Sequence, residues 1–178
     1  MICNVAVIGA GTMGPGIAQV FAQAGCQVTL IDIDGAVLKQ AQERIKSSVK
    51  AFREAGIYSA RKAAVTLSGV SATTRLKDGI KSADFIVEAI AENLQLKRAL
   101  YKQIEEIAPT EAIIASNTST YSIDDLASGS KHPERYMLTH FVNPPNVIPQ
   151  RRLDAVLKLQ IERMISHLPC SKRRGKSR

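Results

Sequence analysis

Apolar and polar positions alternate along this chain in two distinct rhythms, and the switches between them predict its elements. CNVAVIG, residues 3–9, is a short apolar run ending in glycine and predicts a buried strand. From about Met13 to Ala24 the apolar residues Ile17, Val20, Phe21 and Ala24 fall at helical spacing. Pro15 sits in the first turn, where its missing N–H costs nothing, and Gly25 ends the helix. QVTLIDID returns to strand rhythm. A long polar-faced helix is predicted from about Ala36 to Ala55, broken at Gly56, with a second helical piece over Ser59 to Val65 that doubles back on it. TLSGVSAT predicts a short edge strand and turn, and ADFIVEAI a buried strand. Leu94 to Ile107 predicts a helix, EAIIASN a strand, SIDDLAS a short helix with Ser122 as N-cap, and ERYMLTHF a last strand. Strands alternating with helices predict an α/β fold, a doubly wound parallel sheet with helices on both faces. LDAVLKLQIERMISHL also has helical periodicity, but nothing predicted for it to pack on.

Composition adds one asymmetry. The net charge is +8, yet residues 1–150 carry 15 Lys+Arg against 14 Asp+Glu, while residues 151–178 carry 9 against 2. The body therefore shows no nucleic-acid surface, and specific nucleic-acid binding is not expected. Residues 151–178 are expected to form a basic tail, disordered or partly helical. No apolar run reaches membrane-spanning length, so no membrane partner is expected. Three cysteines without a CxxC pair argue against a disulfide or zinc framework and suit a cytoplasmic protein. The domain expectation is thus 1–150 plus a tail, 151–178.

VIGAGTMGPGIA places Gly9, Gly11 and Gly14 in G-x-G-x-x-G spacing. The motif alone is weak. Here it follows a predicted strand, opens a predicted helix, and has Asp32 ending the next strand 18 residues after Gly14. Gly9 permits a tight turn, Gly11 lets a pyrophosphate approach the backbone, and Gly14 lets helix and strand pack closely. Free N–H groups and the helix dipole then face phosphate. A carboxylate at Asp32 bonds ribose hydroxyls and repels a 2′-phosphate, which favours NAD over NADP. The predicted architecture is therefore of the Rossmann type.

Ligands of such sheets sit beyond the carboxyl ends of the strands. Four later positions lie there: Glu92 and Lys97 after ADFIVEAI, Ser119 after EAIIASN, and His140 with Asn143 after ERYMLTHF. Each alone has a structural alternative as a cap, a surface charge or a core histidine. Their convergence beside a cofactor loop makes them candidate site residues.

The segments VAVIGAGTMGPGIAQVFAQAGCQVTLID, IVEAIAENLQLK, ASNTST and THFVNPP resemble the L-3-hydroxyacyl-CoA dehydrogenases, including the 3-hydroxybutyryl-CoA dehydrogenases, over about residues 4–149. The resemblance implies that Gly9, Ala10, Gly11, Thr12, Met13 and Gly14, with Asp32, hold the adenosine half of NAD. It implies that Glu92, Lys97, Ser119 and Asn143 line the nicotinamide and ribose side. It makes Ser119 a partner of the substrate 3-oxygen and His140 the general base. It sets Ser48, Lys50 and Arg53 where the family meets coenzyme A, with an acyl-CoA as substrate.

The resemblance stops near Gln150. Twelve residues after the histidine the family carries a glutamate that orients the imidazole; this chain has Arg152. Asp154 is near in sequence, but a two-residue offset along a strand moves a group by about 7 Å. Loss of an orienting carboxylate in a comparable enzyme costs on the order of 10⁴ in turnover. The family's all-helical second domain, which closes the site and forms the dimer, does not follow, so the dimer is expected to be lost. The expectation is the NAD-binding domain of a dehydrogenase of fatty-acid metabolism and β-oxidation, truncated and catalytically impaired. The alternatives are a non-enzymatic or partner-dependent dinucleotide-binding remnant, or a related gulonate- or carnitine-type dehydrogenase.

Overall fold

The computed structural model describes residues 4–139, 141 and 143–146. By its contacts the chain divides into Met1–Asn146 and Val147–Arg178. His140, Arg152 and the tail helix expected from periodicity lie outside the described residues.

Six strands form one parallel sheet: β1 (Asn4–Ile8), β2 (Gln27–Ile31), β3 (Val70–Thr73), β4 (Phe85–Glu88), β5 (Ile113–Ser116) and β6 (Tyr136–Leu138). Their spatial order is β3-β2-β1-β4-β5-β6. The chain winds outward from β1 to one edge, then returns past β1 to the other. That reversal opens a crevice beside β1, between the carboxyl ends of β1 and β4. The register keeps the strand ends level, with Ile8 opposite both Ile31 and Glu88, and Glu88 opposite Ser116.

Alternation within the strands divides the core. Ala6, Ile8, Ile86 and Ile114 pack with Tyr101, Ile104 and Leu126 of α5 (Leu94–Ile107) and α6 (Ile123–Ala127). The intervening residues Val5, Val7, Phe85 and Val87 are equally buried and face the other way. There the Phe21 ring of α1 (Gly14–Gln23) lies 5.7 Å from that of Phe85. Helices α2 (Gly35–Glu54) and α3 (Ala60–Ser68) are joined by a turn with Gly56 at φ +72°, where Phe52 and Tyr58 meet edge-on at 5.1 Å. Asp34 caps α2, Asn93 caps α5, and Ser122 forms a capping box with Asp125.

Among the described residues the predicted elements are present and β3 lies at the sheet edge as expected, but Thr66–Ser68, expected in the strand, extend α3, and β3 begins only at Val70. One element is additional: α4 (Leu76–Ile80), a five-residue helix after β3. Among the described residues, no helix is long and apolar enough to cross a membrane.

Candidate functional site

The glycine loop is built by close approach. Gly9 has φ +102°, and a Cβ there would stand 2.5 Å from the Ala89 carbonyl oxygen. A Cβ on Gly14 would lie 1.9 Å from the Gly9 carbonyl oxygen. A Cβ on Gly11 would meet nothing within 4 Å, because its face is open. Two glycines thus serve packing, and the third leaves space for a ligand. Ala10 is buried, Thr12 exposed, and Met13 half-buried at the N-cap of α1, where no side chain caps the helix. The first-turn N–H groups of α1 are accordingly available to an anion.

Asp32 follows β2 and turns toward that loop. Its Oδ2 accepts the Ala10 N–H at 2.8 Å and its Oδ1 the Asp34 N–H at 3.1 Å. Two acceptor positions of the carboxylate remain for a diol. The adjoining cleft, about 520 Å³, is lined by Gly9, Gly11, Asp32 and Ala89 and walled by the apolar Ile33, Leu76, Leu96 and Leu100. Ile33 is 96% exposed. An apolar wall beside a carboxylate with acceptor positions to spare suits the flat ring and ribose of a nucleoside. These residues fit NAD; the sequence singles out Asp32 but carries no signal for the wall.

On the other side of β1 the site rests on a buried ionic cluster. Glu88 ends β4 with no solvent exposure, and both of its oxygens are occupied. Oε1 accepts Lys97 Nζ at 2.7 Å and the Ile90 N–H at 2.8 Å. Oε2 accepts the hydroxyls of Tyr101 and Ser116, each at 2.7 Å. Burial, aided by the Glu88 carboxylate, pushes the Tyr101 hydroxyl well above its ordinary range and keeps it a donor. Lys97 is itself fully buried and reaches a second carboxylate, Glu92 Oε2, at 3.2 Å. Its ammonium therefore faces Glu88 and Glu92. Glu92 keeps a side chain 39% exposed. Its partial desolvation alone would raise its pKa, but the Thr118 hydroxyl and the Lys97 ammonium outweigh this and hold its carboxyl below the ordinary range.

Thr118 carries the network to the next strand end. Its hydroxyl bonds Glu92, and its oxygen accepts the N–H groups of Thr120 at 3.1 Å and Tyr121 at 3.3 Å. This fixes the turn that presents the exposed Ser119. Beyond β6, the Thr139 N–H donates to the Ser116 carbonyl at 2.9 Å and the Phe141 N–H to Asn117 Oδ1 at 3.0 Å. Position 140, flanked by these two, lies outside the described residues. Asn143 is exposed and, with Thr12, Arg44 and Ser48, lines a small cavity of about 120 Å³ beside the glycine loop.

The three arm residues differ in placement. Ser48 accepts Asn146 Nδ2 at 2.6 Å, and the same amide donates to the buried Gln19 at 3.0 Å. Ser48 thus ties α2 to the turn after Asn143. Lys50 is exposed and pairs loosely with Glu54 at 3.8 Å, and Arg53 is exposed in the last turn of α2.

Comparison with known proteins agrees with this geometry. The family described as 3-hydroxyacyl-CoA dehydrogenase, NAD binding domain, matches residues 4–150. The chain is 37% identical over 163 residues to the mitochondrial hydroxyacyl-coenzyme A dehydrogenase of Rattus norvegicus, covering 89% of this chain and 51% of that protein. It is 37% identical over 159 residues to the 3-hydroxybutyryl-CoA dehydrogenase of Clostridioides difficile, covering 89% and 55%. The crystal structure of 3-hydroxybutyryl-CoA dehydrogenase from Escherichia coli superposes with a TM-score of 0.82 at 32% identity, over 90% of this chain and 36% of that one. The chain spans about half the length of the curated relatives it matches. It belongs to the 3-hydroxyacyl-CoA dehydrogenase family, as that family's NAD-binding domain.

Proposed function

We propose that this domain serves the oxidation of an L-3-hydroxyacyl-CoA to the 3-oxoacyl-CoA, a step of fatty-acid metabolism and β-oxidation. The observation that carries the proposal is the alignment of an open glycine loop, Asp32, Glu92 and the Ser119 turn along one carboxyl edge of the sheet. The loop Gly9–Gly14 and the N-terminus of α1 bind the pyrophosphate, and Asp32 the adenosine ribose. Bound NAD supplies the hydride acceptor. Glu92 and Asn143 would hold the nicotinamide and ribose side of the dinucleotide, with Lys97 positioning Glu92. Ser119 donates to the substrate 3-oxygen, and His140 takes the hydroxyl proton as general base. Ser48, Lys50 and Arg53 line the approach of the coenzyme A moiety. The setting is the cytoplasm, with reduced thiols.

Arg152 stands in the sequence where the family carries its orienting glutamate, and a guanidinium has no acceptor, so turnover by this chain is low. The same substitution favours a second reading, a dinucleotide-binding domain that completes its site only with a partner chain. Assay of the purified chain with acetoacetyl-CoA and NADH, followed by loss of NADH absorbance, separates them. Slow oxidation abolished by His140→Ala supports the dehydrogenase. No oxidation alone, with oxidation restored on adding a second-domain chain, supports the partner-dependent form. Reduction of NAD⁺ by gulonate or carnitine, with no oxidation of NADH by acetoacetyl-CoA, would overturn the acyl-CoA assignment.

A further inference from the structure

Lys97 pairs with two carboxylates, so the buried cluster holds one more carboxylate than ammonium groups. Glu88 is sealed from solvent and satisfied by four donors, and its charge is matched by the equally sealed Lys97. The unmatched negative charge therefore resides on Glu92, the member that reaches solvent. Glu92 is also fixed in place, since Thr118 holds Oε1 and Lys97 holds Oε2. A dinucleotide whose pyrophosphate crosses the glycine loop lays one nucleoside toward β2 and the other over β4 and β5. Asp32 and the apolar wall claim the first, which leaves the redox-active ring on the Glu92 side. That ring is a cation when oxidised and neutral when reduced. A fixed negative charge beside it distinguishes the two forms, whereas hydrogen bonds to the ribose hold both equally.

We propose that the charge of Glu92 biases this site toward the oxidised form of NAD, relative to the same site without that charge. The proposal rests on the NAD-binding function of the cleft. Lys97 tempers the bias by sharing its charge with Glu88, and Thr118 preserves it by keeping the carboxylate from swinging to solvent.

The test compares dissociation constants for NAD⁺ and NADH, by calorimetry on the full chain and its variants at low salt. Glu92→Gln keeps the size and the acceptor for Thr118 but removes the charge. It should weaken NAD⁺ relative to NADH by roughly three- to tenfold, as expected for one partly screened charge at close range. Glu92→Asp keeps the charge and should leave the ratio near that of the wild type while weakening both forms; it also serves if the Gln variant fails to fold. Equal loss for both forms in Glu92→Gln, no change in either, or a ratio altered as much by Glu92→Asp would overturn the bias and leave the cofactor site intact. A wild-type chain that binds neither form would overturn the cofactor site itself.

Discussion

Lys97 and Glu88 form an ion pair at 2.7 Å with neither side chain exposed, and they join α5 to the carboxyl end of β4 directly beneath the candidate site. Two charges so placed are costly to desolvate, and removing one strands the other. Here the stranded group would sit at the point where β4, β5 and α5 meet.

Lys97→Met is therefore expected to destabilise the domain by about 3–5 kcal/mol. The double variant Glu88→Gln, Lys97→Met should recover part of that loss, because no buried charge remains. Urea unfolding of four proteins, the wild type, Glu88→Gln, Lys97→Met and the double variant, measures these values. Additive losses would show that the two residues are not coupled.

The glycine loop separates packing from binding. Gly14→Ala would press a methyl group onto the Gly9 carbonyl and should cost about 3 kcal/mol, read as a fall in Tm. Gly11→Ala meets nothing within 4 Å, so Tm should hold. NADH affinity should nevertheless drop roughly tenfold or more, because the methyl group occupies the pyrophosphate's line of approach. A stable Gly11→Ala protein with unaltered affinity would move the pyrophosphate elsewhere.

Asp32 should discriminate between cofactors. NADPH is expected to bind at least roughly a hundredfold more weakly than NADH, since its 2′-phosphate would oppose the carboxylate. Asp32→Ser should narrow that gap mainly by weakening NADH, because the Ala10 N–H also loses its acceptor. Competition titrations with the two cofactors report the gap directly.

These residues differ in how legible they were. The strand and helix rhythms located most elements to within a residue or two, because the long helices α2 and α5 each have one buried face and a side-chain cap, Asp34 and Asn93. Helix α4 was missed because LKDGI is too short to show periodicity and contains Gly79. Asp32 and the glycines were legible because their spacing within one β-α-β unit is fixed by local geometry. Glu88 was not: at the end of an apolar run it looks like a strand's polar terminus. Its partners Tyr101 and Ser116 come from 13 and 28 residues away. A signal for Lys97 was present, since Lys97, Tyr101 and Ile104 repeat at helical spacing on the buried face of α5. Ser48 illustrates the converse, a residue whose hydroxyl serves a tertiary tie to Asn146 that no local pattern announces.

Acid should weaken the domain partly through Glu105. Its partial desolvation would raise its pKa, but bonds from Ser130, Tyr136 and the Lys131 N–H, with Arg135 nearby, prevail and lower it. A carboxyl with a depressed folded pKa stabilises the fold above its unfolded value. That contribution is lost as pH falls through the folded value. Between neutral pH and about pH 3, the Tm of wild type should therefore fall more than that of Glu105→Gln. Parallel curves would show that the Ser130 and Tyr136 contacts carry no charge-dependent stability.

The most direct test is titration of the purified chain with NADH, followed by nicotinamide fluorescence and repeated with Asp32→Ser. The wild type should show saturable one-to-one binding that NAD⁺ competes away, with affinity clearly weakened in the variant. Absence of a saturable signal up to roughly millimolar cofactor, or binding indifferent to Asp32, would contradict the site described.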